Sequence, residues 1–334
     1  MLFRSDKTAD RDGDGYLSDA EYGRRKPGFD ARFAYESRIF YPNYGPLRYA
    51  TNVGNPGFRA WAADYHARFI ASQPLADGFF VDNSVGRVAV DPGTIRESLD
   101  AYADDYGSLL GTINRRLQAT GKWIIANTAG GNGTTDPIFR NGVSSLEEFA
   151  LRPLSANHVQ YDDLAAMLKS RRQLAGGKAY EILDSLPTGG TDANDPRMQL
   201  ATLAMYYTLA DPNLSFLMVN GGNEPATTWK RHWIEAATFN IGKPRGDESV
   251  LTTGLDPANS ALTYKVYQRR YDNALVLYKP VSYTRGKTGT TDANTGTTHQ
   301  LDGLYRPLKA DGSLGSPTRT ITLKNGEGAI LVKA

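Results

Sequence analysis

Hydrophobic residues in the middle of the chain follow two alternating patterns, which predict strands and helices in turn. Short apolar runs predict strands, and intervening segments with apolar residues every three or four positions predict amphipathic helices. The clearest helix is predicted from Thr94 to Ala119, where Thr94 and Glu97 form a capping box. Further helices are predicted at Phe58–Ser72, His158–Ala175, from Asp195-Pro196 onwards, and at Thr227–Phe239. The predicted strands are Leu47–Asn52, Gly78–Asp82, Lys122–Asn127, Val143–Glu147, Ala179–Asp184 and Leu214–Asn220.

This alternation favours an α/β fold with a parallel sheet covered on both faces. We expect a (β/α)8 TIM-type barrel over residues 31–245, because nearly every predicted strand ends in a carboxylate or carboxamide. A doubly wound nucleotide-binding sheet is disfavoured, since no glycine-rich phosphate loop follows a strand. Six strands are found where a barrel needs eight. We therefore expect the first strands to be missing and the chain to be an N-terminally truncated fragment.

The pattern changes after residue 245 and predicts a C-terminal antiparallel β-sandwich over residues 246–334. Strands are predicted at Thr263–Arg270, Asn273–Tyr278, Arg319–Leu323 and Ala329–Val332. The Gly/Thr-rich stretch from Arg285 to Thr298 predicts a long hairpin loop. Packing beside the barrel is favoured over sugar binding as the role of this domain.

Composition excludes several classes of protein. The 334 residues contain no cysteine, which excludes a disulfide scaffold, a thiol nucleophile and a cysteine-based metal site. Lys plus Arg is 38 and Asp plus Glu is 36, a balance that argues against nucleic-acid binding. No apolar run is long enough for a membrane span. The four histidines lack metal-ligand spacing, and no Gly-x-Ser-x-Gly motif offers a serine nucleophile.

The first 30 residues contain a sequence that matches a twelve-residue EF-hand loop, DRDGDGYLSDAE. Hard cations such as Ca²⁺ need several oxygen ligands, and alternating acidic residues around a sharp glycine turn supply them. The expected ligands are Asp10, Asp12, Asp14, the carbonyl of Tyr16, Ser18 and Glu21. We expect structural Ca²⁺, with an acidic surface turn as the alternative. A permanent calcium site favours an extracellular, secreted protein, although no signal peptide is seen in this chain.

Two carboxylates on different predicted strands suggest glycoside hydrolysis, in which one carboxylate attacks or activates water and another protonates the leaving oxygen. Asp82 should emerge at the barrel mouth, if Phe79 and Val81 face the helices and Phe80 faces inward. Glu147 is the second candidate. Glu148 replaces it if the register shifts by one residue, and Asp184 is a further alternative acid. The structural alternatives are a strand-end cap and a solvated acidic loop.

Several polar and aromatic residues could bind a sugar. Amide side chains at or next to predicted strand ends could bond hydroxyl groups, and aromatic rings could stack on sugar faces. The candidates for substrate binding are Asn52, Asn83, Asn127, Asn220, Glu224 and Trp229, with Tyr44 as a further choice.

The sequence resembles bacterial TIM-barrel glycoside hydrolases described as hypothetical glycosyl hydrolase-like. The resemblance rests on Asn52-Val53-Gly54-Asn55-Pro56, Phe58-Arg59-Ala60-Trp61, Asp77-Gly78-Phe79-Phe80-Val81-Asp82-Asn83, Glu147-Glu148-Phe149 and Asn325-Gly326-Glu327-Gly328-Ala329-Ile330-Leu331. In related α-galactosidase-like barrels the nucleophile ends strand four and the acid ends strand six. The resemblance therefore implies Asp82 as nucleophile and Glu147 as acid, in a secreted bacterial hydrolase of poly- or oligosaccharides.

Two other functions stay open at this point. A non-catalytic carbohydrate-binding or structural calcium-binding protein would bind sugar or calcium without cleaving a bond. A sugar lyase would release unsaturated products that absorb ultraviolet light.

Overall fold

The computed structural model describes residues 2–4, 48–50, 52–84, 98–129, 134–185, 195–219, 233–291 and 293–334. The chain divides into two units. The first contains Met1–Ser145 and Arg171–Ala179, and the second contains Leu146–Ser170 and Tyr180–Ala334. The predicted residues Asp10, Asp12, Asp14, Tyr16, Ser18 and Glu21 of the calcium loop lie outside the described residues.

Strands and helices alternate through the first two thirds of the described chain. In chain order the elements are β1 (Leu2–Arg4), β2 (Arg48–Ala50), α1 (Pro56–Ala71), β3 (Gly78–Val81), α2 (Leu99–Gln118), β4 (Trp123–Asn127), α3 (Asp136–Arg140), β5 (Ser144–Leu151), α4 (His158–Ala175), β6 (Glu181–Ser185), α5 (Pro196–Leu209) and β7 (Ser215–Val219). None of the described helices is long and apolar enough to cross a membrane.

Five of these strands form one sheet in the order β3-β4-β5-β6-β7, and the pairs β3–β4 and β6–β7 are parallel. The predicted α/β class is therefore confirmed, while closure into a barrel stays a prediction. The prediction that Leu47–Asn52 supplies another strand of this sheet is wrong. Arg48–Ala50 pairs instead with Leu2–Arg4, in a separate two-stranded antiparallel sheet.

Helix starts follow local capping chemistry. Asn55 caps α1 by accepting hydrogen bonds from the backbone N–H groups of Gly57 and Phe58. The predicted cap at Asp195, followed by Pro196 in the first turn of α5, is confirmed. The predicted start of α2 at Thr94 is wrong, because the helix begins at Leu99 and is capped by Ser98.

The end of the predicted Thr227–Phe239 helix also differs from the structure. Within its described part, residues 233–239, only a 3-10 turn at Glu235–Thr238 is helical. The short α3 agrees with the spacing between Asn127 and Val143, which leaves no room for a longer helix.

In the first unit, α1 and α2 pack on one face of β3 and β4. Phe58, Leu109 and Leu110 are fully buried there, and Phe79 and Val81 of β3 pack against the same core. The prediction that Phe79 and Val81 face the helices is thus confirmed, whereas Phe80, predicted to face the barrel interior, is 51% exposed. Gly78 is required because a Cβ atom there would lie 1.9 Å from the Trp123 carbonyl oxygen of β4.

The C-terminal third is an antiparallel sheet of eight strands. They are β8 (Ser249–Leu255), β9 (Thr263–Arg270), β10 (Ala274–Lys279), β11 (Tyr283–Thr284), β12 (Lys287–Thr288), β13 (Thr297–Pro307), β14 (Thr318–Leu323) and β15 (Glu327–Lys333). Their order is β12-β11-β9-β10-β15-β13-β14, with β8 also paired to β9. The predicted antiparallel architecture is confirmed. The strands belong to one continuous sheet, and a sandwich arrangement stays a prediction.

The sequence prediction missed two long strands of this sheet. β8 is rich in threonine and half exposed, so its apolar signal is weak. β13 begins at Thr297, inside the stretch predicted as a hairpin loop, and alternates polar and apolar residues. The short hairpin formed by β11 and β12 occupies the start of that stretch.

The central strand β10 is buried along its whole length. Val276 and Tyr278 point into a core shared with α4 and α5, and Leu275 and Leu277 point into a core formed within the sheet. Gly328 of β15 allows the close approach of α5, because a Cβ atom there would lie 2.2 Å from the Cβ atom of Ala204. The C-terminal sheet therefore shares its core with the helices of the second unit.

Candidate active site

Asp82 directly follows β3 and has an exposed side chain held by three N–H donors. Its Oδ1 accepts hydrogen bonds from the backbone N–H of Asn83 (2.8 Å) and from Nδ2 of Asn127 (2.9 Å). Its Oδ2 accepts a bond from Nδ2 of Asn83 (3.1 Å). Charge-assisted bonds of this kind are stronger than neutral ones. The carboxylate is therefore fixed in orientation while it faces solvent.

Parallel pairing of β3 with β4 explains how Asn127 reaches Asp82. Val81 pairs with Ala126, so the next residues along each strand are neighbours at the carboxyl edge of the sheet. Asn127 is only 4% exposed, and its Oδ1 accepts a hydrogen bond from the Ala129 N–H (3.2 Å). The Asn127 amide thus bonds through its oxygen to the Ala129 backbone and through its nitrogen to Asp82, the candidate nucleophile.

Behind Asp82, Ser84 and Tyr106 form a buried layer that the sequence did not reveal. The Ser84 N–H donates to the Asn127 carbonyl (2.7 Å), and its hydroxyl lies 3.2 Å from the Tyr106 hydroxyl. Burial raises the pKa of Tyr106 above its ordinary value, the charge of Asp82 raises it further, and the Ser84 hydrogen bond opposes this change. Tyr106 therefore stays a neutral hydroxyl that braces the turn after β3.

Glu147 lies inside β5, and the prediction that it ends a strand is wrong. β5 continues to Leu151. At Phe149 its backbone is left-handed, which makes a local bend within the strand. Glu147 is 3% exposed, whereas Glu148 is partly exposed. Both carboxylates therefore come just before an irregular point of the strand.

Asp184 lies in β6, next to β5 in the sheet order, and is 1% exposed. Its Oδ2 accepts a hydrogen bond of 3.3 Å from the backbone N–H of Phe149. The structure therefore connects this predicted alternative acid to the backbone immediately after Glu148.

Two residues other than glycine have a left-handed backbone among the described residues: Asn83, with φ of 51°, and Phe149, with φ of 57°. Such a conformation costs about 1–3 kcal/mol and often occurs at functional sites. Asparagine tolerates it well, but a bulky aromatic residue such as Phe149 rarely does. One of these residues follows Asp82 and the other follows Glu147-Glu148, so both sequence-predicted carboxylate positions precede a left-handed residue, and the one at Phe149 is strained.

Of the other residues predicted to bind a sugar, the structure describes only some. Asn83 is exposed and bonds to Asp82, and Asn52 is partly buried in the turn that precedes α1, where its carbonyl accepts the Asn55 N–H. Asn220, Glu224, Trp229 and Tyr44 lie outside the described residues. Within the part of the chain that the structure describes, no group of three or more His, Asp or Glu residues could hold a metal ion.

Sequence reasoning missed the contribution of Ser84, Tyr106 and the Phe149 backbone. Tyr106 belongs to the apolar face of α2, so its pattern is that of a core residue. An aromatic residue in a strand gives no signal of a left-handed conformation. Only the Asp82-Asn83 dipeptide indicated a turn at this point of the chain, because Asn and Asp favour turns.

No family model matches the chain, and no curated protein does at a significant level. Among solved structures, a debranching enzyme of Nostoc punctiforme is 14% identical with a TM-score of 0.37, over 94% of this chain and 71% of that one. An alpha-amylase of Malbranchea cinnamomea is 9% identical with a TM-score of 0.42, over 86% of this chain and 62% of that one. A GH30 endoxylanase of Clostridium papyrosolvens is 10% identical with a TM-score of 0.30, over 70% and 72%. At these TM-scores the likeness carries no argument about function.

Proposed function

We propose that this protein is a glycoside hydrolase that cleaves a poly- or oligosaccharide by a retaining mechanism. Asp82 is the nucleophile and Glu147 is the general acid/base, with Glu148 and Asp184 as alternatives for the second role. One observation carries the proposal: among the residues that the structure describes, the two left-handed ones other than glycine follow directly on Asp82 and on Glu147-Glu148. Left-handed residues of this kind cluster at functional sites, and the strained one here, Phe149, follows the candidate acid.

The surroundings of Asp82 suit a nucleophile. Its carboxylate is exposed to an incoming sugar, and its orientation is fixed by Asn83 and Asn127. A nucleophile held in place loses less freedom when it attacks, which lowers the entropic part of the barrier. In the proposed first step an Asp82 oxygen attacks the anomeric carbon, and the acid donates a proton to the departing glycosidic oxygen. In the second step the same acid, now a base, takes a proton from the water that releases the sugar.

The proposal includes the architecture and setting expected from the sequence. The parallel sheet β3–β7 would be part of a (β/α)8 barrel, in which Asp82 directly follows β3 and Glu147 lies within β5. The protein would be extracellular. A structural Ca²⁺ would be held by Asp10, Asp12, Asp14, Tyr16, Ser18 and Glu21, a set of oxygen donors with the spacing of an EF-hand loop.

The nucleophile assignment is tested first by substitution. Hydrolysis is screened with a panel of 4-nitrophenyl α- and β-glycosides and of soluble polysaccharides. Asp82→Asn should lower kcat by about 10³-fold or more, because the amide cannot form the glycosyl-enzyme. Asp77→Asn is the matched control, since Asp77 is an exposed carboxylate just before the same strand, and it should keep wild-type activity.

A chemical trap gives the complementary test. Incubation with activated 2-deoxy-2-fluoro glycosides should label Asp82, which peptide mass spectrometry would locate. Label on another carboxylate would reassign the nucleophile. Sugar binding without cleavage by the wild-type protein, unchanged in Asp82→Asn, would favour a non-catalytic carbohydrate-binding protein. Unsaturated products that absorb ultraviolet light would favour a lyase.

The calcium proposal is tested by chelation. EDTA should lower the melting temperature of the full chain, because metal bound only to the folded state stabilises it. Added Ca²⁺ should restore the original value, and Asp12→Ala should remove the response to both reagents. A melting curve that EDTA leaves unchanged would contradict the calcium site.

A further inference from the structure

We infer that Asp184 is a positioning residue, which holds the backbone of β5 in the shape that presents the catalytic glutamate. This inference rests on the proposed function for its effect on catalysis. It assigns Asp184 a role different from acid catalysis or sugar binding: it acts through the Phe149 backbone on the residues just before it.

The argument begins with the cost of the Phe149 conformation. A phenylalanine at φ of 57° is strained. Unlike asparagine, it has no polar side chain that could stabilise this conformation with a local hydrogen bond. Its N–H donates to Oδ2 of Asp184 at 3.3 Å, and Asp184 is 1% exposed. At 3.3 Å this hydrogen bond is long, but losing it would be costly, because it would leave a buried carboxylate oxygen without this N–H donor. The bond therefore compensates for the strain and selects the left-handed form over an ordinary extended one.

The next step is what the bend does to the glutamates. Leu151 is fully buried in the core of the second unit, so the chain after Phe149 is anchored. If Phe149 returned to an extended conformation, the segment before it would have to rotate or shift relative to that anchor. Glu148 is the adjacent residue and Glu147 the one before it. Their side chains would therefore lose the placement that the bend gives them.

This mechanism predicts that glycine at position 149 makes Asp184 dispensable. Glycine adopts a left-handed backbone without a steric penalty, so it keeps the bend in the absence of the carboxylate. A catalytic acid or a sugar ligand at Asp184 could not be replaced in this way. The pair of substitutions thus separates positioning from direct participation.

The experiment compares wild type, Asp184→Asn, Asp184→Ala, Phe149→Gly and the double variant Asp184→Ala/Phe149→Gly. Turnover is measured on a 4-nitrophenyl glycoside that the wild type cleaves, and unfolding is measured by urea titration of the same five proteins. Asp184→Ala should lower kcat by about 10²-fold with KM changed less than about threefold, as expected for a misplaced catalytic group. Asp184→Asn keeps an acceptor oxygen and should lose about tenfold or less. The double variant should recover at least about tenfold over Asp184→Ala.

Three outcomes would overturn the inference. The first is a double variant no more active than Asp184→Ala. The second is Asp184→Asn as inactive as Asp184→Ala. The third is additive effects of the two substitutions on stability, which would show that Asp184 and Phe149 are not coupled.

The stability measurements need no substrate, so they also separate the two proposals. If the wild type cleaves none of the glycosides, the proposed function fails, and the urea titrations still decide whether Asp184 holds Phe149. If the two residues are coupled but kcat of Asp184→Ala equals that of the wild type, the positioning role is refuted while the hydrolase proposal stands.

Discussion

The buried Lys279 should make the stability of the protein rise with pH, in contrast to most lysines. Lys279 ends β10 and is 0% exposed. Its Nζ donates to the carbonyl oxygens of Thr295 (2.5 Å) and Leu323 (3.3 Å), and it lies 4.7 Å from the centroid of the Tyr264 ring. Both hydrogen-bond acceptors are neutral, so the charge is only partly compensated.

Burial lowers the pKa of Lys279 from 10.5 to about 8, although the charges of Asp256 and Glu327 oppose this change. His299 lies near enough for the lysine charge to add to the effect of burial and lower its pKa as well. The difference between 10.5 and about 8 corresponds to about 3 kcal/mol of lost stability for the protonated form. This cost is fully present below pH 8. Between pH 8 and 10.5 the unfolded chain binds more protons than the folded one, so rising pH removes the cost.

The assay is urea unfolding of the wild type and of Lys279→Met between pH 7 and pH 10. The wild type should gain about 2–3 kcal/mol relative to the variant over this range. Groups that titrate in both proteins and do not interact with Lys279 cancel in the difference. Lys309→Met replaces an exposed lysine and serves as the control, which should parallel the wild type. Parallel curves for wild type and Lys279→Met would refute the reasoning, since they would mean that burial does not disfavour the Lys279 charge.

Two further predictions concern the site and the core. Asn127→Ala removes a side-chain donor to Oδ1 of Asp82, so it should lower kcat by about 10-fold to 10²-fold in the glycoside assay. The circular dichroism spectrum should stay that of the wild type, and full activity would contradict the role of this amide. Arg269→Met should destabilise the protein by about 3 kcal/mol in urea unfolding, because the buried guanidinium donates to the carbonyl oxygens of Tyr207, Ala210 and Gly246. A loss below about 1 kcal/mol would show that these oxygens find other donors.

The sequence pattern predicted the α/β part of the fold better than the C-terminal sheet. Strands such as β3 and β4 are short apolar runs between amphipathic helices, and a burial pattern of that kind is local. In contrast, β8 and β13 are partly exposed and lack an unbroken apolar run, so their local signal is weak, and β13 is held by pairing with β14 and β15 further along the chain. Long-range pairing leaves little trace in a single sequence.

The candidate site shows the same division. The contact of Asp82 with Asn127 could be predicted, because both residues come at the same edge of neighbouring parallel strands. The bend at Phe149 could not be predicted, because phenylalanine rarely adopts a left-handed backbone and gives no signal of one. It depends on a carboxylate at position 184, 35 residues further on. Because the bend was not foreseen, Glu147 was predicted to end a strand, whereas it lies within β5.

Strand β10 is buried on both of its faces, and this limits where the chain can be divided for domain exchange. Exchanging a domain by gene fusion requires that the domain keep a hydrophobic core of its own. Here Val276 and Tyr278 of β10 belong to the core that holds α4 and α5, together with Tyr267 and Ile330 of neighbouring strands. A cut near residue 245 would leave apolar surface exposed on both pieces. We therefore expect natural and engineered chimaeras to retain the helices with this sheet, and to exchange them together.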